Sequence, residues 1–255
     1  MKIGIIGVGV IGTAVATGFC EADVEGLSLV LSPRGKERAA ALKEKYPDKI
    51  TVAESNQEVV DASDWVILSI LPEQAEPELK KLTFRPEQKL INLVSTLGMD
   101  RARELVGDLD IIVDVVPLPF NARRIGPVVL YPPVEAAKDL LSHIGDVVAV
   151  DTPEQMAILR TVTALMSPYY QLVTSVVDWC QENGMEEEPA RKYTTSFFGA
   201  LSVIASEWDK GLENLANEMT PGGLNWQALT YLKEQDNFRD WKDALDPVLA
   251  RVTKK

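Results

Sequence analysis

A doubly wound, mostly parallel α/β sheet followed by an all-helical region is the fold predicted by three features of this 255-residue sequence. Short runs apolar on both faces alternate with helix-like segments as far as Asp151. A glycine cluster, G-x-G-x-x-G, joins the first run to the first helix. Beyond Asp151 the strand-like runs stop, and apolar residues recur at helical spacing. Two domains are therefore expected, one over 1–151 and one over 152–255.

In chain order the candidate strands are "KIGIIG", "LSLVLS", "ITVA", "WVILSI", "KLINLVS", "DIIVDVVP", "PVVLY" and "DVVAVD". Between them lie "VIGTAVATGFCEA", "GKERAAALKEKY", "NQEVVDAS", "QAEPELKKL", "RARELVG" and "VEAAKDLLSHIG", which read as helices. Strands that lack a polar face must be covered on both sides, and crossover helices supply that cover. The second region reads as helices near 153–182, 188–210, 221–235 and 237–252. Several of these, such as "FFGALSVIASEW", carry apolar residues on more than one face and are expected to pack on further helices, including those of a second copy.

Charge and thiol content narrow the partners. With 26 Lys+Arg against 38 Asp+Glu, the net charge of −12 repels nucleic acid and anionic membrane, so neither is expected as a partner. Cys20 and Cys180 stand far apart and form no metal or redox spacing. The N-terminus shows no export signal and no apolar span of membrane length, which predicts a reduced, cytoplasmic protein. No His/Cys/Glu spacing suggests a metal, and His143, the only histidine, reads as a surface or capping residue.

Gly7, Gly9 and Gly12 run from an apolar strand straight into a helix. The first glycine permits the tight turn, the second lets a pyrophosphate approach the backbone, and the third allows close helix–strand packing. With Val10 and Ile11 they form a first helical turn suited to phosphate, which makes the first domain Rossmann-type. The end of the second strand chooses the cofactor. In place of the usual acid, "SPRGKER" offers Ser32, Arg34 and Lys36, a hydroxyl and two cations suited to the 2′-phosphate of NADP(H). Ser69, Leu71 and Pro72 after the fourth strand, and Ser95 and Thr96 after the fifth, are expected to border the nicotinamide half of the crevice.

In the helical region, "TPGGLNW" reads as a helix start with Thr220 as N-cap and Gly222 and Gly223 in the first turn. Bare amides there suit an anion, expected to be a substrate carboxylate. Tyr169 and Tyr170 are candidates to donate a hydrogen bond or proton, although helix packing is the favoured account of them. Arg123 and Arg124 read as loop charges.

Taken together, these segments resemble the pyrroline-5-carboxylate reductase family over nearly the whole chain. "SNQEVVDASDWVILSILPEQ" is similar to a family stretch whose asparagine, here Asn56, contacts the cofactor and whose Pro matches Pro72. "ALMSPYY" stands at the Gly-Ser-Gly-Pro-Ala-Tyr segment, and "SEWDKGLENLANEMTPGG" leads into the place of Ser-Pro-Gly-Gly-Thr-Thr. The resemblance implies an NADPH-dependent enzyme that reduces a cyclic imine at a homodimer interface. It also implies that Ser167, Gly222, Gly223, Leu224 and Asn225 hold the substrate, with Asn225 joining the two tyrosines as a catalytic candidate. The chain departs from the family where Leu224 and Asn225 replace the two threonines, Leu71 replaces a lysine, and Leu165, Met166 and Ser167 replace Gly-Ser-Gly. These changes predict a bulkier, more apolar pocket. Two other readings stay open: an NADP-linked carbonyl reductase on the same scaffold, and a non-catalytic NADP-binding homologue.

Overall fold

The computed structural model describes residues 1–253, and they divide into two compact units, one of Met1–Arg160 with Val252 and Thr253 and one of Thr161–Arg251. The first unit is built on eight strands, β1 (Lys2–Ile6), β2 (Ser28–Leu31), β3 (Ile50–Val52), β4 (Trp65–Leu68), β5 (Lys89–Asn92), β6 (Ile111–Val116), β7 (Pro127–Tyr131) and β8 (Asp146–Ala149). All eight coincide with the runs expected from sequence. The helices between them are α1 (Val10–Glu21), α2 (Lys36–Lys45), α3 (Asn56–Asp61), α4 (Pro72–Leu79), α5 (Met99–Val106) and α6 (Glu135–Leu141).

The sheet order is β3-β2-β1-β4-β5-β6-β7-β8. Every neighbouring pair is parallel except β6–β7, which is antiparallel through Asp114↔Tyr131 and Val116↔Val129. Alternate side chains feed two cores. Ile3, Ile5, Leu29, Leu31, Ile67 and Ile91 pack with Phe19 of α1 and Leu140 of α6 in one. Ile6, Val30, Val66, Leu68 and Leu90 pack with Val59 of α3 and Leu79 of α4 in the other. Both faces are covered, which is why the strands read as unbroken apolar runs; a fully buried residue such as Phe19 contributes about 1.5–3 kcal/mol by leaving water.

The boundary between units falls inside α7 (Pro153–Val162) and not at Asp151. The reason is packing, since Met156 is buried with Val129 and Val150 and so fastens the first turns of α7 to the sheet unit.

The second unit contains α8 (Met166–Glu182), α9 (Glu187–Glu207), α10 (Leu212–Asn217), α11 (Leu224–Glu234), α12 (Asn237–Asp243) and α13 (Asp246–Thr253). Three expectations change here. The run expected over 153–182 is interrupted by a 3-10 turn at Thr163–Leu165. Helix α10 was missed, and the run expected over 237–252 is two helices that part ahead of Pro247. Within the unit α8 packs on α9, and α11 packs on α12. Among the described residues, no helix is long and apolar enough to cross a membrane.

Candidate functional site

In the first unit the chain leaves β1 for β2 on one side and, after β3, returns to β4 on the other. That reversal opens a crevice beyond the carboxyl ends of β1 and β4, the place where open α/β sheets bind ligands. The glycine turn lies at its floor. Gly7 has φ +99°, and a Cβ added to it would overlap the carbonyl of Ser69. A Cβ on Gly12 would overlap the Gly7 carbonyl, so β1, β4 and α1 meet here at backbone contact. Gly9 differs: a Cβ there would meet no atom within 4 Å. Gly9 is also the N-cap of α1 and provides no side-chain cap, so the first-turn amides over Val10, Ile11 and Gly12 are left for an anion.

Around this turn the expected cofactor residues gather. Ser69 lies beside Gly7 and Gly12. Leu71 is the N-cap of α4, Pro72 its first residue, and Leu71 is exposed at the crevice rim. Ser95 and Thr96 are exposed in the turn after β5. Arg34 reaches from the end of β2 to α4, where its Nη1 donates to Gln74 Oε1 at 3.2 Å. Ser32 is corrected: it is fully buried, and its Oγ accepts the amide of Gly7 at 3.0 Å, so it braces the glycine turn and does not face the crevice.

Asn56, the first residue of α3, donates from Nδ2 to Glu78 Oε1 at 2.6 Å. Its Oδ1 is buried with no hydrogen-bond partner, although such atoms are nearly always satisfied in a folded chain. The open space at Gly9 and this orphaned oxygen fit a dinucleotide that brings phosphate to one and hydroxyls to the other. Glu78 and Gln74, both on α4, were not picked out from sequence. The Asn56 amide, aided by Lys81 and the charge of Arg34, holds the Glu78 carboxyl below the usual carboxylate range despite its burial. "LPEQ" contained Gln74, but only the fold turns it toward Arg34.

The second unit carries the expected substrate residues, and it does not bring them onto one packed pair of helices. Ser167, Tyr169 and Tyr170 lie exposed in the first turns of α8, with the Tyr169 ring edge-on to Phe198 of α9 at 6.2 Å. Gly222, Gly223, Leu224 and Asn225 lie at the start of α11. The expected helix start at Thr220 is wrong. Gly222 has φ +75°, the Gly223 amide donates to Thr220 O at 2.9 Å, and the helix begins at Leu224. "TPGG" is thus a tight turn with proline at its second position and glycine at the left-handed third. The Gly223 amide is spent within that turn. Gly223 then caps α11 without a side chain, leaving the amides of Leu224, Asn225 and Trp226 as the unsatisfied first turn.

Two further residues lie away from the glycine turn and from Arg34. Arg124 donates to the carbonyls of His143, at 3.0 Å, and Glu21, at 3.3 Å, and is not a free loop charge. His143 is half-buried in the turn after α6.

A doubly wound sheet with a glycine turn at its switch point defines a Rossmann-type dinucleotide-binding protein with a helical second unit. Comparisons with known proteins refine this. Residues 2–98 match the family model described as "NADP oxidoreductase coenzyme F420-dependent". A pyrroline-5-carboxylate reductase of Corynebacterium melassecola is 25% identical, with 91% of this chain and 90% of that protein covered. The structure of 1-pyrroline-5-carboxylate reductase from Streptococcus pyogenes aligns with TM-score 0.81 at 21% identity, covering 99% of this chain and 98% of the other. That of the Plasmodium falciparum pyrroline carboxylate reductase with NADP bound aligns with TM-score 0.83 at 19% identity, covering 99% and 97%. The chain is therefore similar over nearly its whole length to pyrroline-5-carboxylate reductases, and its residues 2–98 match an NADP oxidoreductase family model.

Proposed function

We propose that this protein is a cytoplasmic, homodimeric, NADPH-dependent reductase acting on the C=N bond of a cyclic imine or imino acid. The observation that carries the reading is the retained pair of anion sites, one in each unit: the uncapped first turn of α1 with Arg34 beside it, and the uncapped first turn of α11 after "TPGG". The first suits a 2′-phosphorylated dinucleotide. Gly9 leaves room for the pyrophosphate, Arg34 meets the 2′-phosphate, and Asn56 Oδ1 accepts from a ribose hydroxyl. NADPH supplies the hydride when bound.

The second site suits a carboxylate, held by the amides of Leu224, Asn225 and Trp226. Backbone donors do not depend on side-chain identity, so they survive the loss of the family's threonines. Leu224 and Trp226 at the start of α11, and Tyr170 on α8, are exposed and give the substrate region its apolar character. A protonated imine is already electrophilic, so the protein's task is to orient the imine carbon and exclude water. Tyr169, Tyr170 and Asn225 are the groups proposed to hold the imine proton. Association of two copies is supported by the apolar side chains exposed along α8 and α9, among them Trp179, Tyr193, Phe197 and Leu201.

The test follows NADPH absorbance with a panel of cyclic imines, cyclic imino acids and ketones. Turnover of C=N substrates alone is expected. Turnover of ketones alone would replace this reading with a carbonyl reductase, and tight NADPH binding with no turnover on any substrate would make the protein a non-catalytic sensor.

A further inference from the structure

The turn after β5 is held by residues that no sequence motif marks. Asn92, the last residue of β5, is 1% exposed. Its Oδ1 accepts the amide of Val94 at 3.0 Å, and its Nδ2 donates to the carbonyl of Leu97 at 2.8 Å, so one side chain fastens both ends of the Val94–Leu97 turn. The same Nδ2 donates to Asp114 Oδ1 at 2.7 Å, and Asp114 is the residue opposite Asn92 on β6. From the other side, Arg160 of α7 donates from Nη1 to the carbonyl of Ser95 at 2.9 Å. The turn is gripped at Val94, Ser95 and Leu97 while the side chains of Ser95 and Thr96 stay exposed.

Two charged groups half-buried at the edge of a turn need a reason, because burial disfavours both. Burial pushes the Asp114 carboxyl up to about 6, against the opposing pull of the Asn92 amide and the Arg160 charge. Burial likewise lowers the Arg160 guanidinium, and Asp114 opposes that shift. An apolar pair would avoid both costs. It would not donate to a carbonyl or orient an amide.

We propose that Asp114 and Arg160 are positioning residues that hold the Val94–Leu97 turn as a preformed wall of the crevice for the nicotinamide half of the cofactor. This rests on the cofactor reading above. Arg160 fixes the middle of the turn through the Ser95 carbonyl. Asp114 acts one step back, setting the orientation of the Asn92 amide that closes the two ends. Neither residue touches the cofactor. Removing either leaves the adenosine half of the site intact, because the glycine turn, Arg34 and Asn56 belong to β1, β2, α3 and their loops.

The test uses the full chain. Wild type, Arg160→Ala and Arg160→Lys are titrated by calorimetry with NADPH and with adenosine 2′,5′-bisphosphate, which lacks the nicotinamide. Hydrogen exchange is followed across residues 93–98 in the ligand-free proteins. For Arg160→Ala the expected result is NADPH affinity about tenfold lower, fragment affinity unchanged and faster exchange in the turn, with partial recovery in Arg160→Lys. Equal loss for NADPH and fragment would mean general damage to the unit and overturn the proposal, as would unchanged NADPH affinity or unchanged exchange. If Arg160→Ala fails to fold because the Asp114 carboxylate loses the nearby positive charge, the double variant Arg160→Met/Asp114→Asn removes both charges and must show the same split. A wild type that binds the fragment but not NADPH overturns this proposal alone; one that binds neither overturns the cofactor reading and this proposal with it.

Discussion

The two units spend similarly apolar sequence in opposite ways. In residues 1–160 large side chains such as Phe19, Ile67 and Leu90 disappear into two cores, one on each face of the sheet. In residues 161–251 the buried positions are only Thr161, Val177, Ala190 and Thr194, while Trp179 is 63% and Tyr193 70% exposed. A sheet closes its own core because helices of the same chain cover both faces. A helix as long as α9, with 21 residues, needs neighbours all round, and those of its own unit cover only part of it. The contrast separates a unit that closes its own core from one that leaves large apolar side chains exposed.

The broadest expected effect strikes the second unit. Leu201→Asp, at an exposed position of α9, should raise the dimer dissociation constant by about 30-fold or more, read by sedimentation across protein concentrations. A wild type that stays monomeric at every concentration would remove the contrast altogether.

The next pair of variants separates folding from binding inside the first unit. Gly12→Ala places a Cβ on the Gly7 carbonyl and should cost about 3 kcal/mol of stability by thermal unfolding, with cofactor binding lost. Gly9→Ala meets nothing within 4 Å, so stability should stay within about 0.5 kcal/mol while NADPH affinity falls about tenfold. Equal loss of stability in the two would mean that Gly9 serves the fold and not a ligand.

The most selective test is Arg34→Ala, which should weaken NADPH by about 10–100-fold and leave NADH nearly unchanged. If both cofactors weaken alike, the 2′-phosphate argument fails. None of these changes alters the Val94–Leu97 turn, so their outcomes are independent of those at Arg160.

Much of the first unit was legible because its signals are local. A two-faced apolar strand and G-x-G-x-x-G each declare themselves within a dozen or so residues. The antiparallel direction of β7 was not legible, since strand direction depends on how the preceding connection folds back. Gly222 and Gly223 showed that bare backbone was needed, but not which conformation. A helix start and a tight turn share the same residues, and only φ at Gly222 separates them. Ser32 carried the right chemistry on the wrong side, because a hydroxyl at a strand end can face the ligand or the loop, and here it faces Gly7.

By itself the sequence determined the alternation of strands and helices, the glycine turn and the cation at Arg34, because each is written in neighbouring residues whose conformational and charge preferences act locally. Tertiary structure alone decided that Asn56 leans on Glu78, that Asn92 leans on Asp114, and that Arg160 reaches the Ser95 carbonyl. Those partners lie far apart along the chain and carry no shared periodicity. Their meeting depends on the order of strands in the sheet, and burial then gives each charge its cost and its use.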